Sequence, residues 1–258
     1  MRGYLDTSWG QLHYESVGSG EQTIVLIHET GLSHSAFKRL VPELSGQLRV
    51  VSFDIPGCGE SDPPPAITTI EEYSARLAEG IDALGIGRLA VLGAHTGAQM
   101  AVQLAAVDIP DRVDAVYCLG LPFYRPEVLA KRRVAVVDEF TDDGAHLLTG
   151  FHRPPKEYDP EVRSRMVAAT SLLPGRVFWP YHAVYKYAPG EALPKIKAPV
   201  VFLTSEKDIL HPGDVDGVEL VQNGRLINIE TERLPLYWSQ PKAVAHEIFS
   251  TLGIKETP

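Results

Sequence analysis

Short apolar runs rich in valine and isoleucine alternate along the chain with longer stretches in which apolar residues recur at helical spacing. Such alternation is typical of parallel strands joined by crossover helices, and continuous apolar runs are expected of strands covered on both faces. The sequence therefore predicts an α/β fold, with a mostly parallel central sheet flanked by helices. The predicted strands are 11–17, 23–28, 50–54, 89–94, 115–119, 200–205 and 226–230, and the predicted helices are 35–44, 70–84, 97–106 and 241–252.

The alternating pattern breaks between residues 122 and 194, where helical spacing predominates and proline and glycine interrupt it. We interpret 122–194 as an inserted helical cap on a core domain made of 1–121 and 195–258. The cap holds ten of the 21 aromatic residues of the chain. They suit either a lid over an apolar pocket or the cap's own small core. They are Phe123, Tyr124, Phe140, Phe151, Tyr158, Phe178, Trp179, Tyr181, Tyr185 and Tyr187.

Composition narrows the function classes. The 258 residues carry a net charge of −9, which argues against nucleic acid or an anionic membrane surface as a partner. Neither a signal segment nor a transmembrane run is evident, so we expect a cytoplasmic protein. Cys58 and Cys118 lack the spacing of a disulfide framework or a zinc site.

Five segments carry the strongest motif information in the chain. In order they read IVLIHETG at 24–31, FDIPGCGESD at 53–62, LGAHTGA at 92–98, PVVFLTSEKD at 199–208 and LPLYWSQP at 234–241. Their order and spacing resemble the α/β-hydrolase fold family, and together they span nearly the whole chain. The third segment stands where that family has its G-x-S-x-G nucleophile elbow, and the fourth where it has the triad acid.

The resemblance implies a catalytic triad, but two of its three members are absent. His95 stands at the elbow in place of the nucleophilic serine, and Leu234 lies near the position of the triad histidine. There is no histidine between His211 and His246 that a local gap could move into place. Asp208 matches the triad acid.

The residues around the elbow suggest a different chemistry. If His95 projects as the elbow serine does, an adjacent carboxylate would raise its pKa and select its tautomer, and the candidates are Glu29 and Asp208. Glu29 replaces a glycine that the family favours, and it could also point outward into solvent. The backbone amides of Thr30 and Thr96 would form the oxyanion hole that the resemblance implies.

Three hypotheses for function remain open on this basis. The leading one is non-covalent acid–base chemistry of the lyase, decarboxylase, isomerase or cyclase type on a small apolar carbonyl metabolite, with His95 as general base or acid. A second is a non-catalytic small-molecule binding protein that has lost its triad. A third is hydrolysis of an ester or lactone by water activated at His95, or by an unusual nucleophile among Thr96, Ser239 and Cys58.

Further residues are candidates for contacts with the small molecule, which is the partner we expect. They are His28, Trp179, His182, Tyr237 and Trp238. For His28 a structural role with hydrogen bonds to the backbone is the favoured interpretation, and His182 could instead lie at the interface between cap and core. The histidines lack the spacing of a metal site, and no glycine-rich phosphate loop is present, so we expect neither a metal nor a cofactor. A homodimer is compatible with this fold but is not encoded in any motif.

Overall fold

A computed structural model describes residues 1–124, 129, 141–152, 154–172 and 179–255. A central sheet of eight strands dominates the described structure, and hydrophobic side chains are buried on both of its faces. The strand order is β1-β2-β4-β3-β5-β6-β7-β8, with β1–β2 and β2–β4 antiparallel and the remaining pairs parallel. The predicted α/β fold with a mostly parallel sheet is confirmed.

All seven predicted strands are present, with ends that differ by one or two residues. The strand that sequence reasoning missed is β1, which alternates between exposed and half-buried positions and lies at the edge of the sheet. Such a strand lacks the apolar run that identifies a buried one. The strands are β1 Arg2–Thr7, β2 Gly10–Val17, β3 Thr23–Ile27, β4 Arg49–Phe53, β5 Leu89–Ala94, β6 Val113–Leu119, β7 Val200–Thr204 and β8 Gly224–Asn228.

Helices cover both faces of the sheet. The predicted helix 35–44 is two short pieces, a 3-10 turn at His34–Phe37 and a helix at Val41–Leu44, and the predicted helix 97–106 ends in a π-helical turn at Leu104–Asp108. No helix in the described ranges has both the length and the apolar character to cross a membrane. The α-helices are α1 Val41–Leu44, α2 Ile70–Ala83, α3 Thr96–Gln103, α4 Ala145–His152, α5 Pro160–Leu172, α6 Trp179–Val184, α7 Pro189–Ala192, α8 His211–Val218, α9 Leu236–Ser239 and α10 Pro241–Leu252, and a further 3-10 turn spans Leu193–Lys195.

The turn from β5 into α3 places residue 95 at the carboxyl end of the central strands. A Cβ atom on Gly93 would lie 2.1 Å from the carbonyl oxygen of Gly97, and one on Gly97 would lie 2.1 Å from the carbonyl oxygen of Ile27. Both positions therefore require glycine, since no side chain fits between strand, turn and helix. The two glycines that flank the elbow motif thus have a steric cause.

The cap is described in part, and its predicted bounds of 122–194 remain a prediction. Helix α4 packs against α5, while residues 125–128, 130–140, 153 and 173–178, including Phe140 and Phe178, lie outside the described residues. The segment before α5 pairs with the core at Leu234. The Leu234 amide donates to the Glu157 carbonyl at 2.9 Å, and the Asp159 amide donates to the Leu234 carbonyl at 2.8 Å.

A buried cluster around Asp54 holds the turn after β4. The Asp54 carboxylate accepts hydrogen bonds from Nδ1 of His13 and Nδ1 of His34, both at 2.9 Å, and from the backbone amides of His34 and Glu60. Burial would raise the pKa of this carboxyl, but the hydrogen bond from His34 and the nearby histidines hold it well below its usual range. The carboxylate is thus occupied by four N–H donors and fixes the GCGESD turn to β2.

Candidate functional site

His95 occupies the elbow in a backbone conformation that side chains rarely adopt. Its φ is 47° and its ψ is −112°, and among the described residues it is the one non-glycine with positive φ. The His95 amide donates to the Leu119 carbonyl at 3.0 Å, and its carbonyl accepts from Ala98 at 2.8 Å, which ties the turn to β6 and α3. Such strain costs about 1–3 kcal/mol and is typical of functional positions.

The ring of His95 lies between two carboxylates. Nε2 donates to Oδ2 of Asp208 at 3.0 Å, and Nδ1 lies 3.3 Å from Oε2 of Glu29. Charge-assisted hydrogen bonds of this kind are usually about 2.7–2.9 Å, so the Nδ1 contact is the looser of the two. The imidazole is therefore hydrogen-bonded to Asp208, and Nδ1 makes a longer ion-pair contact with Glu29.

Glu29 points into the protein rather than into solvent, and it is 4% exposed. Its Oε1 accepts the hydroxyl of Tyr237 at 2.5 Å, and its Oε2 accepts the hydroxyl of Tyr158 at 3.0 Å. Burying a carboxylate is costly unless donors replace its water, and two phenols and an imidazole do so here. The outward orientation that the sequence left open is therefore not adopted.

The two carboxylates change the protonation of His95. Burial alone would lower the pKa of the imidazole, but the charges of Asp208 and Glu29 outweigh it and raise that pKa to about 9. Burial would likewise raise the pKa of Asp208, whereas the charge of His95 and its hydrogen bond lower it. His95 is consequently an imidazolium at neutral pH.

Three residues of this region were not singled out from the sequence. Tyr158 was noted among the cap aromatics, but nothing in its spacing indicated Glu29 as a partner. Asp214 is fully buried, its Oδ1 accepts the amide of Leu121 at 2.7 Å, and burial raises its pKa to about 8. A Cβ on Gly120 would lie 2.8 Å from Nε2 of His95, so glycine leaves room for the ring.

A cavity of about 160 Å³ opens above His95. This is close to the size of an engineered cavity that binds benzene, so it suits a small molecule. Cap residues form much of its wall. The lining that the structure describes comprises Glu29, Thr30, Gly31, His95, Gly150, Pro154, Pro155, Tyr158, Met166, Thr170, Tyr181, Asp208 and Ile209.

The two threonines proposed for the oxyanion hole meet through their side chains. Oγ1 of Thr30 and Oγ1 of Thr96 are 2.7 Å apart and hydrogen-bonded, and both residues are buried. The Thr96 amide begins α3 and so has no acceptor within the helix. Stabilisation of an anion by the two amides remains a prediction.

None of the five predicted substrate-contacting residues belongs to the described lining of the cavity. His28 is fully buried between the Glu29 carbonyl and the Ile55 amide, a structural role that leaves neither ring nitrogen for a ligand. Trp238 faces away from the cavity, because Lys38, Arg39 and Arg165 stack on its ring.

Trp179 and His182 also lie outside the described lining of the cavity. They belong to α6, from which Tyr181 reaches the cavity instead. Tyr237 donates its hydroxyl to Glu29 and does not itself line the cavity. The sequence predicted that Trp179, His182 and Tyr237 face or line the pocket, and none of the three belongs to its described lining.

The alternative nucleophiles are poorly placed for attack. Burial raises the pKa of the Cys58 thiol to about 12, which leaves it protonated. The Ser239 hydroxyl donates to the Pro235 carbonyl at 3.1 Å, and the Thr96 hydroxyl is paired with Thr30. Leu234 is buried at the expected position of the triad histidine. Among the described residues, the titratable group at the elbow is the imidazole of His95.

Curated relatives match part of the chain. It is 30% identical over 150 residues to a 2-hydroxy-6-oxononadienedioate/2-hydroxy-6-oxononatrienedioate hydrolase 1 of Dechloromonas aromatica, a match that covers 56% of this chain and 49% of that protein. It is 35% identical over 115 residues to the corresponding hydrolase 2 of Pseudomonas putida, with 43% and 40% covered. The matches thus span about half the length of these relatives or less.

Solved structures match over nearly the full length. The enol-lactonase of Burkholderia xenovorans LB400 superposes with a TM-score of 0.81 at 21% identity and covers 97% of this chain and 100% of its own. A hydrolase of Pseudomonas aeruginosa superposes with a TM-score of 0.80 at 19% identity, with 98% of each chain covered. The model of the alpha/beta hydrolase fold family matches residues 22–159, a stretch that contains both Glu29 and His95. The chain therefore belongs to the alpha/beta hydrolase fold family.

Proposed function

We propose that this protein is an enzyme that transfers protons on a small, mostly apolar carbonyl compound without forming a covalent intermediate. One observation carries the proposal: His95 stands at the elbow, with Nε2 hydrogen-bonded to Asp208 and Nδ1 3.3 Å from Glu29, beside a cavity. A serine hydrolase needs a nucleophile at this point. The imidazolium can instead act as a general acid in its resting state.

The chemistry follows from the looser contact at Nδ1. A substrate carbonyl oxygen that approaches Nδ1 would receive its proton while Asp208 holds Nε2 in place. The Glu29 carboxylate also lines the cavity and would accept a proton from the carbon next to the carbonyl. Together the two transfers turn a ketone into an enol, and return of the oxygen-bound proton to His95 and of the other proton to a different carbon gives isomerisation.

The developing negative charge on oxygen has a further source of stabilisation. The backbone amides of Thr30 and Thr96 stand where the family builds its oxyanion hole, and an oxyanion hole depends on backbone donors rather than on the serine. The relatives are named as hydrolases of 2-hydroxy-6-oxo compounds, which also carry a carbonyl group. That shared feature supports a carbonyl substrate class.

Hydrolysis by water activated at His95 is less well supported. General-base activation needs the neutral imidazole, and a pKa of about 9 leaves little of that form at neutral pH. A hydrolase of this type would gain activity as the pH rises toward 9. Proton donation by His95 would instead be lost over the same range.

The test is deuterium exchange in heavy water. Wild type, His95→Ala and His246→Ala would each be incubated with a panel of small ketones, enones and lactones, and the products followed by mass spectrometry. His246 is an exposed histidine of α10 and serves as the matched control. We expect wild type and His246→Ala to incorporate deuterium next to a carbonyl and His95→Ala to do so about 100-fold more slowly or worse.

Three results would count against the proposal. Equal exchange by His95→Ala would remove His95 from the chemistry. A product heavier by one water would identify a hydrolase. Binding of a panel compound without exchange or conversion would favour the non-catalytic binding protein.

A further inference from the structure

The charges that face the cavity do not cancel. Glu29 and Asp208 each bring one negative charge, and the imidazolium of His95 brings one positive charge. Within the described lining there is no lysine or arginine side chain. The described lining therefore carries a net charge of about −1 at neutral pH, beside the cavity that would hold a substrate.

The neighbouring titratable groups that the structure describes do not offset this charge. The phenols of Tyr158 and Tyr237 are neutral, because burial and the charge of Glu29 raise their pKa well above the ordinary value. Asp214, whose pKa is about 8, is mostly protonated at pH 7. The negative charge thus comes from the described side chains of the site themselves. The site departs from the family pattern at Glu29, which stands where the family favours glycine.

Building on the proposed function, we infer that the site selects uncharged carbonyl compounds and excludes carboxylates. The relatives are named for dioate substrates, which carry two carboxylates, so the chain would differ from them in substrate class. Glu29 is the residue that determines this specificity.

The physical reason is the loss of water on entry. A carboxylate that enters a cavity of this size gives up hydration, and here it would meet two carboxylates and one imidazolium at short range. Like charges repel more strongly in a site of low dielectric constant than in water. Both carboxylates also have their donors already in place, so their charges stay in the site when a ligand enters. An uncharged ketone avoids the repulsion, and its oxygen can still accept from Nδ1 of His95.

The experiment compares two probes of the same shape. The probes are 3-methylbutan-2-one and isobutyrate, which differ in a methyl group against a carboxylate oxygen, and each has six heavy atoms, as benzene does. Binding is titrated by ligand-observed NMR at pH 7 with wild type, Glu29→Gln and Glu219→Gln. Glu219 is exposed at the end of α8, so its substitution removes the same charge away from the cavity.

We expect wild type and Glu219→Gln to bind the ketone at least about tenfold more tightly than isobutyrate. Glu29→Gln should reduce this ratio to about threefold or less by improving isobutyrate binding. Isobutyrate binding equal to or tighter than ketone binding in wild type would overturn the inference, and so would an unchanged ratio in a folded Glu29→Gln. Absence of ketone binding up to the solubility limit of the ketone would also overturn the inference.

A second variant guards against misfolding of Glu29→Gln. Asp208→Asn removes the other negative charge of the site, and it is titrated at pH 5.5, where His95 keeps its proton even at the ordinary imidazole pKa of 6.5. At that pH it should also narrow the ratio, whereas Glu219→Gln should not. The readout is binding rather than turnover. Selective ketone binding without deuterium exchange would therefore refute the proposed function and leave the charge selection standing, whereas exchange on a carboxylate substrate would do the opposite.

Discussion

Tyr237 donates its hydroxyl to Oε1 of Glu29 at 2.5 Å, across 208 positions of the chain. Tyr158 of the cap donates to Oε2 of the same carboxylate, so one buried acid joins the segment before the last helix, the oxyanion loop and the cap. The Tyr237 contact links the end of the chain to the carboxylate that faces the elbow residue His95. It also explains how a carboxylate is retained where the family favours glycine.

Removal of one of the two phenol donors to Glu29 should lower the stability of the protein. Tyr237→Phe leaves Oε1 of Glu29 buried without its phenol, which should lower the free energy of unfolding by about 1–3 kcal/mol. Chemical denaturation followed by circular dichroism measures this difference. Tyr4→Phe is the matched control, because the Tyr4 hydroxyl donates to Glu60 at the exposed surface and its loss should change stability by less than about 0.5 kcal/mol. Equal effects of the two substitutions would contradict the assigned role of Tyr237.

The protonation of His95 can be observed directly. The His95 pKa is about 9 because Asp208 and Glu29 stabilise the imidazolium, and Asp208 is the larger cause. Asp208→Asn removes that charge, so the pKa should fall toward the ordinary value of 6.5. An NMR titration of the imidazole protons between pH 5 and pH 10 measures both values. Asp142→Asn removes a charge at an exposed position and should leave the pKa of His95 unchanged. A wild-type pKa near 6.5 would refute the carboxylate pairing.

The fold was largely predictable because its signals are local. Apolar runs marked the buried strands, and the glycines around His95 marked a turn whose geometry leaves no room for a Cβ at Gly93 or Gly97. The edge strand β1 escaped because its side chains alternate in exposure without forming an apolar run. Local pattern therefore identifies buried elements better than half-exposed ones.

The site was predictable only where one motif carried the information. His95, Asp208 and Glu29 followed from their places in the family's segments, and the structure brings all three together. Tyr158 could not be found in this way, since its partner lies 129 residues earlier and the contact depends on how the cap docks at Leu234. Trp238 was expected to line the cavity but lies outside its described lining, because proximity in sequence does not give the direction of a side chain.

Asp214 should make stability depend on pH. Its folded pKa is about 8 against an ordinary value of 3.8, so the folded state holds a proton that the unfolded state releases. This contribution to stability is fully present below about pH 4 and is lost as the pH rises toward 8. In Asp214→Asn the free energy of unfolding should therefore fall less between pH 4 and pH 8 than it does in wild type. Relative to wild type, the variant should be more stable at pH 8 than at pH 4. Denaturation curves at several pH values test this, with Asp142→Asn as the control; parallel curves for wild type and Asp214→Asn would contradict it.

The backbone strain at His95 gives a prediction with an unusual sign. His95→Ala and His95→Gly both remove the imidazolium from Asp208 and Glu29, so the difference between them isolates the backbone. Glycine normally lowers stability relative to alanine by about 0.4–1 kcal/mol through the unfolded state. At φ 47° and ψ −112°, however, the Cβ of alanine keeps a strain of about 1–3 kcal/mol that glycine relieves. We expect His95→Gly to be the more stable variant by about 1 kcal/mol in chemical denaturation. At Ala168, an exposed position within α5, Ala168→Gly should have the opposite sign and cost about 1 kcal/mol. If His95→Ala proves as stable as His95→Gly, the elbow is not strained, and a bulky residue at this turn needs no functional explanation.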